Sequence, residues 1–348
     1  MSRSALPLAL LSSLLLTGTV LAAPSVVVST KPIHALVAAV MGDTGTPALI
    51  VKGAASPHTY SLRPSDAAAL ESADIVFWTG HGMELFLADA LDTLTTDAEV
   101  VELAEAPGIE LLPLREGGAI EAHDHGDEDH EDHEDHEDHE DHEDHEEHEE
   151  HEGHEDHEDH DGHDHDAHDQ DDHDHAHGEE DMHFWLDPEN AKLMVTEIAA
   201  VLSEADPENA ATYGANAEAE IARLDDLTAE IAEALAPVAD KPFVVFHDAY
   251  QYFEARFGLE LAGTVTVSPE VMPGAARIDQ LRAKVSELGA TCVFAEPNFE
   301  PAIVRTIIEG TAARAGVLDP EGSSLTEGPE LYPQLLRNLA AGLLECLG

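Results

Sequence analysis

The sequence predicts an α/β protein with two pseudo-symmetric lobes, each built on a mainly parallel sheet and joined by a long rigid helix. Three observations predict this fold. Short apolar segments alternate with helix-like segments in both halves of the 348-residue chain, which is the pattern of parallel sheets with crossover helices. A long helical pattern separates the two halves. A low-complexity stretch interrupts the first half, and we expect it to be a disordered insert in the first lobe.

The first lobe is predicted over residues 23–205. Its strand-like segments are short apolar runs bounded by turn-forming residues, as expected for strands that are buried on both faces. In chain order, the alternating segments are Val26 to Ser29, Ile33 to Met41, Ala48 to Val51, Pro64 to Ser72, Ile75 to Trp78, Met83 to Ala90 and Val100 to Leu103.

The linking helix is predicted over residues 206–237. Pro207 is suited to a first helical turn, apolar residues recur every three or four positions after it, and Pro237 ends the pattern. About thirty residues at 1.5 Å each give a rod of roughly 45 Å. Because such a rod limits hinge motion, we expect small adjustments on ligand binding.

The second lobe is predicted over residues 238–348, where the same alternation returns. Its segments are Phe243 to Phe246, Tyr250 to Phe257, Leu261 to Thr266, Ala276 to Leu288, Cys292 to Ala295, Pro301 to Ala313, Gly316 to Leu318 and Leu331 to Leu347. The repeated pattern indicates two similar lobes.

Residues 1–22 have the features of a secretory signal peptide. Arg3 stands in a short N-terminal region, an apolar stretch follows, and small residues precede a cleavage point after Ala22. A processed chain would be periplasmic and not embedded in the membrane. An N-terminal anchor is the alternative, but the apolar stretch is short for a membrane span.

The chain has two cysteines, Cys292 and Cys346. In the oxidising periplasm we expect a disulfide between them, which would tie the last helix to the strand that contains Cys292. Two unconnected buried thiols are the alternative.

The low-complexity insert is predicted over residues 118–181. Residues 121–181 hold 34 of the chain's 74 Asp and Glu and no Lys or Arg, and such dense like charge favours disorder. Imidazole and carboxylate groups bind metal ions, so the repeated Glu-Asp-His triplets indicate a metal scavenger of low specificity; a solvated spacer is the alternative. The net charge of −59 argues against nucleic acid or an anionic membrane as partner. Most of the chain's 24 histidines lie here: His123, His125, His130, His133, His136, His139, His142, His145, His148, His151, His154, His157, His160, His163, His165, His168, His173, His175 and His177.

Five histidines lie outside the insert. His58 is in a turn-rich loop after a strand, His183 follows the insert, and His247 ends a strand. Ligands of α/β sheets bind at the carboxyl edges of the strands, so three imidazoles from separate segments can meet on one ion between the lobes. Three imidazoles favour Zn²⁺ over Mn²⁺. His34 opens a helix and His81 lies between two glycines; auxiliary metal contact and ordinary structural roles both remain open for them.

Several motifs surround these histidines. They are ASPHTYSLRPSD around His58, MHFWLDPE around His183, VVFHDAYQYFEARFGL around His247, and TCVFAEPNF followed by GVLDPEG. As a set, they resemble the zinc-specific solute-binding proteins of cluster A-I over essentially the whole mature chain. The resemblance implies a monomer that captures Zn²⁺ as cargo and delivers it to the membrane permease, and through it the ATPase, of an ABC-type importer. It also implies that His58, His183 and His247 are the metal ligands and that the insert is the family's metal-rich loop.

The fourth ligand is open. Asp319 corresponds to a position that supplies an Asp ligand in related proteins, and water is the alternative. Some relatives have Glu directly before the first ligand, where this chain has Pro57, which cannot coordinate a metal. Glu296 is expected to be structural or to support a ligand, and Asp248 could orient one.

Two other functions fit part of the sequence. A freestanding periplasmic zinc chaperone or buffer could have the same insert. A zinc metallohydrolase would also use three His ligands and a water. However, the sequence contains neither the His-Glu-x-x-His helix motif nor a nucleophile elbow, so we expect no enzyme activity.

Overall fold

The first lobe contains a parallel sheet. The computed structural model describes residues 23–115, 180–266, 274–287, 289, 291–297, 299 and 301–348. The strands of the first sheet are β1 (Val26–Val28), β2 (Ala48–Leu49), β3 (Ile75–Trp78) and β4 (Glu99–Glu102), connected by helices α1 (Lys31–Met41), α2 (Pro64–Glu71) and α3 (Leu85–Leu94). The strands are parallel in the order β2-β1-β3-β4, so their carboxyl ends share one edge.

A two-stranded antiparallel ladder follows the first sheet. It consists of β5 (Leu112–Pro113) and β6 (Glu180–Asp181). The predicted insert, residues 118–181, therefore includes two residues that belong to a strand. The other predicted insert residues, with all their histidines, lie outside the described residues, up to position 179. The predicted signal peptide, residues 1–22, also lies outside them.

Two consecutive helices connect the lobes, α4 (Pro188–Ala205) and α5 (Ala210–Leu235). With 26 residues, α5 is about 39 Å long at 1.5 Å per residue. It begins later than the predicted start at residue 206 because Asp206 ends α4, its backbone N–H donating to the carbonyl of Leu202. The Asp206 carboxylate then accepts hydrogen bonds from Asn209 and Tyr213, which stabilises the turn between the helices.

The second lobe repeats the topology of the first. Its sheet contains β7 (Phe243–His247), β8 (Leu261–Thr266), β9 (Cys292–Ala295) and β10 (Arg314–Val317), and its helices are α6 (Gln251–Phe257), α7 (Ala275–Glu287), α8 (Pro301–Ile308) and α9 (Leu331–Leu347). The strands are parallel in the order β10-β9-β7-β8, which is the first sheet's order read from the other side. Helix α5 packs against both α1 and α9, so it contacts both lobes. The predicted α/β fold with two lobes and a rigid linking helix is confirmed; the exact lobe boundaries stay a prediction.

Alternate side chains of the strands face different cores. Val28 of β1 and Val245 of β7 belong to one large cluster of buried residues that draws on both lobes. Val27 and Val244, their neighbours in sequence, face smaller clusters that are each confined to one lobe. This two-residue period is expected for strands buried on both faces. The large cluster therefore packs against both sheets and holds them together.

The part of the chain that the structure describes has no helix that is long and apolar enough to cross a bilayer. The predicted disulfide is confirmed: Cys292 of β9 is bonded to Cys346 of α9, with Cα atoms 6.1 Å apart. Because it closes a loop between residues 54 positions apart, the bond restricts the unfolded chain.

We expect the double variant Cys292→Ala/Cys346→Ala to be less stable than the native chain by about 4 kcal/mol, the loop-closure value for a span of this length. Urea unfolding followed by tryptophan fluorescence measures the difference. Native protein kept under reductant serves as the control and should unfold at the same midpoint as the variant. An unchanged midpoint for both would contradict this account of the disulfide.

Candidate metal centre

Three histidines from separate segments meet between the lobes. His58 lies in the turn-rich loop between β2 and α2, and His247 is the last residue of β7. His183 lies between β6 and a short 3-10 turn, Phe184–Leu186, that leads into α4. Each offers one ring nitrogen, and the three nitrogens lie within 4.8 Å of one another. We call these residues the three-histidine cluster.

The cluster is nearly equilateral and shielded from water. The ring centroids are 5.4 Å apart for His58 and His183, 5.7 Å for His58 and His247, and 5.3 Å for His183 and His247. His183 is 6% exposed and His247 is 3% exposed, whereas His58 is partly buried. A cation placed between the rings would therefore leave most of its water behind.

Two carboxylates determine which nitrogen each buried ring turns toward the centre. Nδ1 of His183 contacts Oδ1 of Asp181 at 2.8 Å, and Nδ1 of His247 contacts Oε1 of Glu296 at 2.6 Å. A carboxylate accepts a hydrogen bond, so each Nδ1 carries the proton and each Nε2 keeps its lone pair. The two Nε2 atoms face each other at 3.4 Å.

This separation matches what a tetrahedral zinc ion requires. Zinc–imidazole bonds of about 2.0–2.1 Å at the tetrahedral angle place two ligand nitrogens roughly 3.3–3.4 Å apart. The observed 3.4 Å between the Nε2 atoms of His183 and His247 agrees with that value. The pair is therefore spaced to bind one tetrahedral ion.

Electrostatics divide the histidines into two kinds. Burial, together with the neighbouring His183 and His247, lowers the pKa of His58 well below 6.5, so its ring is neutral at ordinary pH. Burial also lowers the pKa of His247, but the contact with Glu296 and the charges of Asp248 and Asp181 outweigh it, and the net pKa is raised above 6.5. A proton on Nε2 of His247 has Nε2 of His183 as acceptor. That proton occupies the position that a cation would take.

A second group of charges lies beside the cluster. Nη2 of Arg115 is 3.0 Å from Oδ1 of Asp248 and 2.9 Å from Oε2 of Glu254. Burial raises the pKa of Glu254 to about 7, even though Arg115 opposes the shift. Asp248, which the sequence suggests as a ligand-orienting residue, is thus paired with Arg115.

Asp319 lies outside the three-histidine cluster. Its carboxylate accepts hydrogen bonds within its own loop, from the backbone of Glu321 at 3.2 Å, and from the backbone and hydroxyl of Ser323 at 2.7 and 2.8 Å. Both oxygens are therefore engaged locally. These bonds hold the carboxylate within its own loop, and Asp319 is not one of the residues whose ligand atoms are grouped around the cluster.

His34 and His81 also lie outside the cluster. His34 is buried in α1, and its Nε2 contacts the carbonyl oxygen of Pro47 at 3.1 Å. His81 contacts Glu102 at 2.9 Å and packs on Trp78, with ring centroids 4.7 Å apart. Both contacts are structural.

Sequence reasoning did not identify Asp181, the residue that orients His183. Asp181 stands at the end of a long run of acidic residues, so nothing in the composition distinguishes it from the other acids of that run. Its spacing is the only sequence signal: a carboxylate two residues before a His can reach that residue's backbone N–H and its Nδ1, and here both contacts form, at 3.0 and 2.8 Å.

Comparison with known proteins gives a consistent result. The profile of the ZnuA family, described as zinc-uptake complex component A periplasmic, matches residues 26–346. The high-affinity zinc uptake system protein ZnuA of Brucella abortus (strain 2308) is 57% identical over 322 residues, covering 92% of this chain and 91% of that protein. The protein of the same name from Paracoccus denitrificans (strain Pd 1222) is 43% identical over 329 residues, covering 93% and 92%.

Solved structures agree on the fold. A crystal structure of ZnuA superposes with a TM-score of 0.68 at 23% identity, covering 94% of this chain and 100% of that one. A structure of a ZnuA deletion mutant lacking residues 138–173 of its own numbering, with zinc bound, gives the same TM-score and identity and covers 94% and 98%.

We expect Asp181→Asn and Glu296→Gln each to weaken zinc binding by about 10- to 100-fold, because each removes the negative charge that orients and polarises one imidazole. Competition titration against a chromophoric chelator measures the affinity. Glu102→Gln is the matched control, since Glu102 makes the same type of contact with His81 outside the cluster. Equal affinities for Asp181→Asn, Glu296→Gln and the control would show that the two carboxylates do not support the site.

We expect the zinc affinity to fall as the pH drops through the raised pKa of His247, since the ion must displace the proton held there. Above that pKa the affinity should be constant. Below it, zinc binding should release the proton of His247, whereas His58 contributes none until much lower pH because burial lowers its pKa. Calorimetric titrations in two buffers of different ionisation enthalpy count the protons. An affinity that is constant from about pH 8 to pH 5.5 would contradict this assignment.

Proposed function

The chain belongs to the ZnuA family of periplasmic zinc-uptake components, and on that basis we propose that it captures Zn²⁺ with high affinity in the periplasm and delivers it to an ABC-type zinc importer. The observation that carries the proposal is the pair of Nε2 atoms 3.4 Å apart, completed by a third imidazole. The ion is cargo, so the protein binds and releases it and forms no covalent bond with it.

The proposed ligands are His58, His183 and His247. Three neutral imidazoles favour Zn²⁺ over Mn²⁺, which prefers oxygen ligands. Water is the proposed fourth ligand, because the three grouped ligand residues do not include Asp319. Asp319, whose carboxylate accepts hydrogen bonds within its own loop, is the alternative.

The histidine-rich insert is proposed to collect zinc through many weak sites and so raise its concentration near the cluster. Imidazole at every third residue supports metal binding rather than a spacer role. In the sequence, the last histidine of the insert is His177, three residues before β6, and Asp181 of β6 contacts His183. The proposed collecting segment and the proposed tight site are thus neighbours in the sequence.

The partners and location follow from the family. The proposed partner is the membrane permease of a zinc importer, coupled to its ATPase, and the chain is proposed to act as a monomer. Residues 1–22 are proposed to direct it to the periplasm and to be removed there. Reversible binding of the ion at a site of three neutral imidazoles is the proposed chemistry, in place of catalysis.

The test is zinc accumulation by cells that lack this chain, measured with isotopic zinc at low external zinc. We expect the native chain to restore uptake and His247→Ala to fail, because it removes a ligand. A chain lacking residues 121–178 should still bind one ion tightly, since it keeps β6 and Asp181. If uptake were the same with and without the native chain, the transport proposal would be rejected. If the native chain nevertheless bound zinc tightly, a freestanding buffer would be the better description.

A further inference from the structure

The segment that carries His183, residues 181–187, is fastened to the second lobe. Tyr252 of α6 donates a hydrogen bond from its hydroxyl to the carbonyl oxygen of Asp181 at 2.7 Å. The same hydroxyl accepts from the backbone N–H of Leu112 at 2.7 Å. One second-lobe side chain thus holds both strands of the β5–β6 ladder. We call residues 181–187 the His183 segment.

The far end of the His183 segment is fastened as well. Arg256 of α6 forms two hydrogen bonds to the carboxylate of Asp187, both 2.7 Å long. The indole N–H of Trp185 donates to the carbonyl of Pro320 at 3.0 Å, and the backbone carbonyl of Trp185 accepts from the hydroxyl of Tyr332 at 2.6 Å. These partners all lie in the second lobe. His183 precedes the linking helices in the sequence, but the segment that carries it is anchored to residues that follow those helices.

His247 belongs to the second lobe, to which the His183 segment is fastened. It ends β7, and α6, which supplies Tyr252 and Arg256, begins four residues later. The strand is fully buried, and of the residues between strand and helix Ala249 and Tyr250 are buried and Asp248 is partly buried. The imidazoles of His183 and His247 are therefore held by one short, rigid stretch of the second lobe.

His58 is anchored elsewhere. Its loop is tied down by Tyr60, whose hydroxyl donates to Asp66 at 2.8 Å and whose ring packs on Phe86 with centroids 5.2 Å apart. Tyr60 belongs to the smaller buried cluster confined to the first lobe, on the outer face of its sheet. The His183 segment, by contrast, contributes Trp185 to the large shared core. His58 is thus held by contacts that are separate from those that hold the other two ligands.

We propose that Tyr252 and Arg256 are positioning residues that hold His183 beside His247 as a preformed pair, and that His58 completes the site as a separately anchored third ligand. This inference rests on the proposed zinc function and assigns the support of each ligand within it. The pair needs little further ordering to bind the ion. His58 contributes the third imidazole from its own anchored loop.

The first test compares three single variants by zinc competition titration. His58→Ala keeps the preformed pair, whereas His183→Ala and His247→Ala each leave two imidazoles anchored on different bodies. We therefore expect His58→Ala to bind zinc at least about tenfold more tightly than either of the other two. Equal affinities for the three variants, or the weakest affinity for His58→Ala, would overturn the proposal.

The second test asks whether Arg256 acts through His183. In the His58→Ala background, Arg256→Ala should weaken the remaining site by about tenfold and alter the visible absorption of bound Co²⁺, which reports the ligand geometry. Arg337→Ala is the matched control, because Arg337 forms an equivalent bidentate pair with Glu230 between α9 and α5. Arg256→Lys, which retains the charge, should restore part of the affinity. Tyr252→Phe should act in the same direction as Arg256→Ala.

These outcomes separate two kinds of failure. If the native chain does not bind zinc tightly, or if none of the three histidine variants changes its affinity, the proposed function itself fails. If the native chain binds zinc but Arg256→Ala behaves like Arg337→Ala in affinity and Co²⁺ spectrum, only the positioning role fails. Thermal unfolding of both arginine variants checks that a shared loss of stability does not cause the difference.

Discussion

The contacts of Asp181 with His183 and of Glu296 with His247 are the interactions on which the rest of the structure depends. Each carboxylate fixes the tautomer and the orientation of one buried ring, at 2.8 and 2.6 Å. Without them either ring could turn its protonated nitrogen inward, and the two lone pairs would no longer converge. Such contacts are strong in a site of low dielectric constant, but only while the geometry holds. The fold therefore has to hold four side chains, from three separate segments of the sequence, in the positions that these contacts require.

The fold accomplishes this with parallel sheets and a shared core. Strands β7 and β9 lie side by side, so His247 at the end of one and Glu296 just after the other come together at the same sheet edge. Asp181 is not part of either parallel sheet. It lies in the β5–β6 ladder, which Tyr252 positions through hydrogen bonds to both strands. The large core draws on residues of both lobes and so supports both sheets, whereas the His58 loop is anchored to a smaller cluster of the first lobe.

Much of the architecture can be predicted from the sequence because it follows from periodicity. The alternation of apolar strands and helices predicts both sheets, and turn residues place His58 and His247 near strand ends. The start of α5 and the role of Asp181 depend on hydrogen bonds between side chains and turns, which leave no periodic trace. The hydrogen bonds that Asp319 accepts from Ser323 and Glu321 likewise depend on a loop conformation that leaves no periodic trace, and its role as a ligand stays a prediction.

Charge balance explains why a divalent ion suits this site. The carboxylates of Asp181 and Glu296 place two negative charges behind the imidazoles, and the charge of Asp248 is opposed by Arg115. Uncompensated charge in a buried site costs several kcal/mol per ion, so a monovalent ion would be poorly matched. A proton competes with the metal for the same ring nitrogens. Although burial opposes the shift, Glu296 and the other acidic neighbours raise the pKa of His247, whereas burial lowers the pKa of His58. Of these two ligands, His247 is therefore the one at which a proton competes more strongly with zinc.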